Sequence, residues 1–302
     1  MYKSEVIGKG GIYAKVVADS LSKGGNRLTT LELNYHRYIH GEFMTHRLFS
    51  RNASSSRAIP VKTMLKNISE SPATPIHWGK NQAGMQAREE CSNLVMVDYS
   101  RGDWWEYGCE ESIRNAHYFD KAGYHKQIVN RVTEPYQFIK VVVSATEWEN
   151  FFHLRLHKDA QPEIQELARC IKQAMDESEP TSLVVGCYHT PYVERSEGFL
   201  GNDGCSYWDM AIKCSVARCA RVSYLNHDNS TPNIEKDISL YGLLLSSKHM
   251  SPFEHVAKSM NYSKFAQPLG IVDWDNGTTH MDKQGVMWSG NFKGFVQHRQ
   301  EL

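Results

Sequence analysis

The sequence predicts an α+β fold. Strand-like and helix-like stretches alternate loosely, and no Gly-x-Gly-x-x-Gly turn follows any of the strands. The chain has 302 residues with 41% hydrophobic content, enough to bury a substantial core. Lys and Arg together number 34, as do Asp and Glu, so the formal net charge is zero. That balance disfavours a globally basic nucleic-acid binder, and no stable nucleic-acid partner is expected. There is no signal-type apolar run at the N-terminus and no apolar run of bilayer length, so the expectation is a cytoplasmic protein without a membrane partner.

The elements follow in order. "GKGG" at residues 8 to 11 lacks P-loop spacing and reads as a turn. "LTTLELNY" at 28 to 35 has the alternation and β-branching of a strand. Ile39, Phe43, Met44 and Leu48 then fall at helical spacing, with a polar run on the same element or just beyond it. Ile59-Pro60 forces an extended exit. Residues 61–124 read as mixed short helices and loops. "FIKVVV" at 138 to 143 reads as a buried strand, followed by Thr146 as a helix cap with Glu149 as its capping-box partner. Trp148, Phe151, Phe152 and Leu154 line the helix that follows. Ile164, Leu167, Ala168, Ile171 and Met175 line a second helix. Residues 177–208 are rich in glycine and carry two prolines around the strand-like "SLVVGCYH". Thr231-Pro232 marks another helix start, with Ile234, Ile238, Tyr241, Leu244 and Leu245 as its stripe.

The seven cysteines form no Cys-x-x-Cys pair, and no His-Glu-x-x-His pair occurs, so no metal site is predicted. Reduced, buried thiols are the reading for the cysteines.

The polar run is "THRLFSRNASSSR" at 45 to 57. Arg47, Arg51 and Arg57 offer planar, permanently charged forks suited to phosphate or carboxylate. Ser54, Ser55 and Ser56 offer hydroxyls and a turn whose N–H groups could line an anion site. Asn52 can both donate and accept. This chemistry suits a phosphorylated ligand such as a nucleotide, and it equally suits a solvated helix end.

The same run resembles the signature of flavin-dependent thymidylate synthases, Arg-His-Arg-x-x-Ser-x-Asn-x-x-Ser-x-Arg. His46, Arg47, Ser50, Asn52, Ser55 and Arg57 match it, while Thr45 replaces the first Arg and Ala53 stands where many members have Glu. "ATEWENFFHLRLHKDAQPEIQELA" resembles the family's Leu-Arg helix and Ala-Gln-x-Glu-Ile piece. "ARVSY" and "SKHMSPFEH" resemble two further pieces that normally precede the signature and here follow it. The order implies a circular permutation, with residues 261–302 leading toward the strand before Ile39.

The resemblance implies a flavin-dependent thymidylate synthase-like fold in a single catalytic domain, 1–302, with insertions at about 61–124 and 177–215. It implies transfer of a one-carbon unit from methylenetetrahydrofolate to C5 of dUMP, with FAD as cofactor and NADPH as reductant. Ser55 and Arg155 would be the catalytic residues. Glu42, Ser55, Arg57, Arg131 and Arg155 would bind the nucleotide. His46, Arg47, Asn52, Asn150, Ser223, His249, Ser251 and Glu254 would face the flavin. A homotetramer with shared sites is implied. Glu42 stands where the family has Gln, and Thr45 and Ala53 depart from it too. A related flavin- and folate-dependent change, hydroxymethylation of dUMP or methylation of dCMP, is therefore a second expectation. A non-catalytic nucleotide- or RNA-binding regulator is a third.

Overall fold

The longest strands pair with one another. β1 (Glu5–Ile7), β2 (Tyr13–Leu21), β3 (Arg27–His36), β4 (Ser50–Ala53) and β5 (Phe138–Ala145) form an antiparallel sheet in the order β1-β2-β3-β5-β4, and β6 (Thr181–Ser182) adds in parallel to β2. The computed structural model describes residues 4–194, 197, 208–222, 231, 233–261 and 274–302. Leu31 opposes Val143 and Leu33 opposes Val141, so alternate side chains form one apolar face.

Helices cover both faces. Those of the first half are α1 (His40–Phe43), α2 (Val61–Glu70), α3 (Arg101–Lys121) and α4 (Lys126–Val129). After β5 come α5 (Glu149–Arg155), α6 (Pro162–Asp176), α7 (Trp208–Arg221) and α8 (Ile234–Ser246). Ile164, Leu167, Ala168 and Ile171 of α6 are fully buried against Leu31, Leu33, Val141 and Val143. Truncating any one of the larger three to Ala costs about 2–5 kcal/mol. On the opposite face, Cys219 of α7 packs with Val17 and Val142.

Two small sheets finish the fold. β7 (Tyr188–His189) and β8 (Ala257–Ser259) join a C-terminal strand in the order β12-β8-β7, and β9 (His280–Met281), β10 (Met287–Ser289) and β11 (Phe292–Lys293) form the other; β12 is Phe295–Gln297. Phe292 and Phe295 pack with Ala257 and with Leu28 of β3. The C-terminal segment thus lies against the strand that precedes Ile39. Mixed helices and antiparallel sheets make the class α+β.

Several local expectations are corrected. The helix expected over 39 to 48 stops at Phe43, and Met44 and Leu48 are exposed. The Arg51 guanidinium reaches the carbonyls of Phe43, Met44 and His46 at 3.0–3.3 Å, so a side chain takes the bonds a further turn would have made. Part of the polar run is then a strand, β4. The 61–124 region holds one long helix rather than short ones only: α3 has 21 residues, started by a reciprocal Ser100–Asp103 capping box. Thr146 does not cap α5; its hydroxyl accepts from the Lys293 N–H at 3.0 Å. "SLVVGCYH" supplies only the last residue of β6 and the two-residue β7, separated by a turn with Gly186 at φ 84°. In α8, Tyr241 and Leu244 are buried, but Ile234, Ile238 and Leu245 are exposed, and the buried stripe includes Asp237. Asp237 is there because Arg218 and Arg221 of α7 both bind it.

Candidate functional site

Arg155 ends α5, whose Phe151 is buried in the main core and fixes the helix's orientation. The His46 ring meets Phe151 edge-on at 4.9 Å. From there the Arg155 guanidinium donates to His46 Nε2 at 3.0 Å, to Glu42 Oε2 at 3.2 Å and to the Thr45 hydroxyl at 3.3 Å. Accepting at Nε2 places the His46 proton on Nδ1. Burial, then the charges of Arg155 and Arg51, push the His46 pKa down to about 4, so the ring is neutral at physiological pH. Glu42, Thr45, His46 and Arg155 thus form one closed cluster.

The serine-rich turn is built differently. Ser54 is tied to β5 by its N–H to the Lys140 carbonyl and by its hydroxyl, which accepts from the Lys140 N–H. The buried Asn130 amide donates to the carbonyls of Ser56 and Ile59 at 2.7 and 3.0 Å, and Lys126 donates to that of Ala58. Arg57 and Arg131 each follow a member of the Ser56–Asn130 pair in sequence, so their backbones are tied to the same hydrogen-bonded turn. Arg57 is exposed and has no partner among the described residues; Arg131 makes only a bond to the Gln127 carbonyl.

Beside this turn lies a cavity of about 390 Å³. Ser54, Ser55, Asn67, Lys140 and Arg221 are among its polar lining. Lys140 and Arg221 were not singled out from the sequence, although Arg221 lies within the "ARVSY" piece. Val222, also on the wall, has φ 57°, a left-handed conformation that a β-branched residue adopts only at a cost of about 1–3 kcal/mol. Its packing with Val17, Val142, Tyr192 and Cys219 holds it there. A larger cavity of about 900 Å³ lies between residues 75–90 and 158–166. Its charged walls are largely paired, for example Arg88 with Asp159 at 2.7 Å, and none of its lining residues comes from the 45–57 run.

The C-terminal pieces reach the 45–57 run through Gln297. Its side-chain amide donates to the Ser50 hydroxyl at 3.0 Å, to Asn291 Oδ1 at 2.8 Å and to the Glu254 carbonyl at 3.3 Å. The Glu254 carboxylate pairs with Arg299. Asn52 donates to the Cys219 carbonyl at 3.2 Å, tying β4 to the end of α7. Beneath them runs a buried polar chain. The Ser144 hydroxyl lies 2.9 Å from His255 Nδ1 and 2.5 Å from the Thr30 hydroxyl, which lies 2.7 Å from His189 Nε2. Burial pushes both histidine pKa values down to about 3, so both rings are neutral.

Arg47, Asn150, His249 and Ser251 are exposed, and their side chains have no hydrogen-bond partner among the described residues. Ser55 is exposed, and its carbonyl accepts from the Ala58 N–H. Ser223 lies outside the described residues. No hydrogen bond or ion pair among the described residues joins the Arg155 cluster to Arg57 or Arg131.

Cys109, Cys170, Cys187, Cys214 and Cys219 are buried, and burial pushes Cys109, Cys170 and Cys214 up to about 11 and Cys219 higher still. No family model matches the chain, and the comparison with curated proteins gives no match.

Proposed function

We propose that this chain is a flavin-dependent thymidylate synthase that transfers a one-carbon unit from methylenetetrahydrofolate to C5 of dUMP, with FAD as cofactor and NADPH as reductant. The observation that carries the reading is convergence. Arg155 meets Glu42, Thr45 and His46 across more than a hundred residues of sequence, and Gln297 joins Ser50 to the Ser-Pro-Phe-Glu turn. These are pieces on which the family resemblance rests.

The residues suit the chemistry. Arg57, Arg131 and Ser55 would hold the nucleotide phosphate with charge-assisted bonds. Arg155 would face the pyrimidine and stabilise the negative charge that develops on a ring carbonyl. Arg47, Asn150, His249 and Ser251 offer uncommitted donors and acceptors for a flavin, and His46, Asn52, Ser223 and Glu254 belong to the same set. When bound, the flavin supplies the hydride chemistry, so no thiolate is required. The raised cysteine pKa values agree with that. Two groups of uncommitted side chains, not joined among the described residues, would suit a site completed by other subunits of a homotetramer.

A second reading has its own observation. Glu42 and Thr45, two of the departures from the family pattern, both touch Arg155. A carboxylate and a hydroxyl on that guanidinium would alter how it meets a pyrimidine. Hydroxymethylation of dUMP or methylation of dCMP is therefore the alternative within the same chemistry.

Flavin uptake tests the reading. Purified protein titrated with FAD should quench the flavin's fluorescence to a saturating, roughly one-per-chain endpoint, and Asn150→Ala with Ser251→Ala should weaken it by tenfold or more. A protein that takes up no FAD would overturn the proposal in favour of a nucleotide- or RNA-binding regulator.

A further inference from the structure

α3 belongs to the 61–124 stretch that the family resemblance does not explain. One side of it is accounted for. Cys109, Ser112 and Ala116 are buried, Cys109 and Ile113 pack on Met64 and Ile68 of α2, and the Ser112 hydroxyl donates to the Val132 carbonyl at 2.7 Å. The opposite side carries large aromatic groups into solvent. Trp104, Tyr107 and Tyr118 are 36%, 44% and 62% exposed, and Trp104 stacks on Tyr107 at 5.1 Å. A helix face with three exposed aromatic rings is a candidate contact surface.

Its charges say what covers it. The N-terminal half of the outer face carries Asp103, Glu110 and Glu111, and the C-terminal half carries Arg114 and Lys121. The tyrosines lie symmetrically about the middle. A two-fold axis at the level of Ser112 and Ile113 would set Tyr107 of one copy opposite Tyr118 of the other. It would also set Glu111 opposite Arg114 and Trp104 opposite Lys121. The Glu111–Arg114 ion pair, the Tyr107–Tyr118 ring pair and the Trp104–Lys121 cation–ring contact then each occur twice, as a self-complementary interface requires. The 21-residue helix is about 31 Å long, so both ends of the pattern engage.

We infer that α3 is a two-fold interface on which a second copy of this chain lies antiparallel. Glu111 and Arg114 form an ion pair within the isolated helix. On association they exchange to the facing partners, and the tyrosines leave water. The exposed Leu94 and Val97 just before the helix, and Tyr124 and Ile128 just after it, extend the apolar surface at both ends. This inference does not rest on the flavin reading.

Light scattering on the full-length chain tests it. Glu111→Arg and Arg114→Glu, made singly, each set like charges opposite one another and should halve the solution mass at micromolar concentration. The double variant E111R/R114E restores opposite charges and should restore the mass. A second arm is independent of charge. In a Cys91→Ser background, a mixture of Tyr107→Cys and Tyr118→Cys chains should form a mapped 107–118 disulfide on mild oxidation at ten times the yield of either alone. A monomeric wild-type protein, or a mass unmoved by both single reversals, would overturn the inference. So would a double variant that fails to recover, or a mixture that cross-links no better than its components.

Discussion

The Arg155 cluster and the serine-rich turn are both rich in hydrogen-bonding groups, yet they are opposite kinds of site. Around Arg155 every major group is already paired: one guanidinium serves His46, Glu42 and Thr45, and the ring of His46 is held by Phe151. At the serine-rich turn the backbone is fixed by Asn130 and Lys140, while the charged tips of Arg57 and Arg131 stand free of ion pairs among the described residues. The first arrangement is preorganised, with its orientation set before any ligand arrives. The second is a fixed frame with free cations, which an anion can occupy without breaking an existing ion pair. The 42–57 stretch thus contributes both to a paired cluster and to a turn whose cations have no ion-pair partner among the described residues.

The largest expected effect is at the closed cluster. Arg155→Ala should lower turnover by about 10²–10³-fold, the scale of losing one donor to a developing charge. Arg155→Lys, which keeps the charge and loses the fork, should recover only part of it. Steady-state rates on folded, flavin-loaded variants decide this, and an Arg155→Ala enzyme within fivefold of wild type would remove Arg155 from the chemistry.

Next comes the open turn. Arg57→Ala should weaken nucleotide binding by about 1.5–3 kcal/mol, the scale of a charge-assisted bond, while leaving the thermal midpoint unmoved because the side chain has no partner to lose. Calorimetric titration with a nucleoside monophosphate is the check. An unchanged affinity would detach the turn from phosphate binding.

How much of this was legible in the sequence depended on what each feature needs. β3, β5 and α6 were readable because their apolar residues repeat at the period of the element and nothing interrupts them. "YAKVVADSL" has the composition of the strand it forms, β2, while α7 begins at the end of the glycine-rich 177–208 stretch. The early end of α1 could not be read, since it depends on Arg51 folding back onto three carbonyls. The same holds for Thr146, whose capping pattern was sound but whose hydroxyl accepts from Lys293 instead. At the site, the family resemblance pointed to Arg155 and His46, and only the fold brings them within 3.0 Å. Lys140 carried no motif signal, and Arg221 carried one only as part of the "ARVSY" piece. They line the cavity because β5 and α7 flank the serine-rich turn.

A pH experiment sharpens the contrast between closed and open regions. His255 and His189 have folded pKa values lowered to about 3, against about 6.5 when unfolded. The unfolded chain therefore takes up protons first as pH falls, and stability declines from pH 6.5 downward until the folded pKa values are reached. By pH 5.5 each ring contributes a loss of about 1.4 kcal/mol relative to neutral pH. His255→Asn keeps a partner for Ser144 and removes one titration, so its urea midpoint should fall less between pH 7.5 and 5.5. An identical pH dependence in wild type and variant would show that His255 is not held neutral.

The smallest effect is expected at the cysteines. Replacing Cys109, Cys170, Cys187, Cys214 or Cys219 with Ala should leave turnover within about tenfold once each variant is shown to be folded, since all five are buried and burial raises the pKa of Cys109, Cys170, Cys214 and Cys219. Cavity formation can still lower stability, so thermal midpoints are recorded alongside the rates. One folded, flavin-loaded variant that loses a thousandfold would mean a covalent nucleophile and a different reaction.

Product analysis bears most directly on the account as a whole. Flavin-loaded protein is incubated with NADPH, methylenetetrahydrofolate and either dUMP or dCMP, and the nucleotides are separated and weighed by mass spectrometry. The expected product is a C5-substituted pyrimidine nucleotide, dTMP from dUMP in the leading reading, whose formation requires the folate and is slowed about 10²–10³-fold by Arg155→Ala. Hydroxymethylated dUMP or methylated dCMP would keep the chemistry and move the substrate assignment to the alternative that Glu42 and Thr45 favour. No substituted product from either nucleotide, in protein shown to bind flavin, would contradict the central claim.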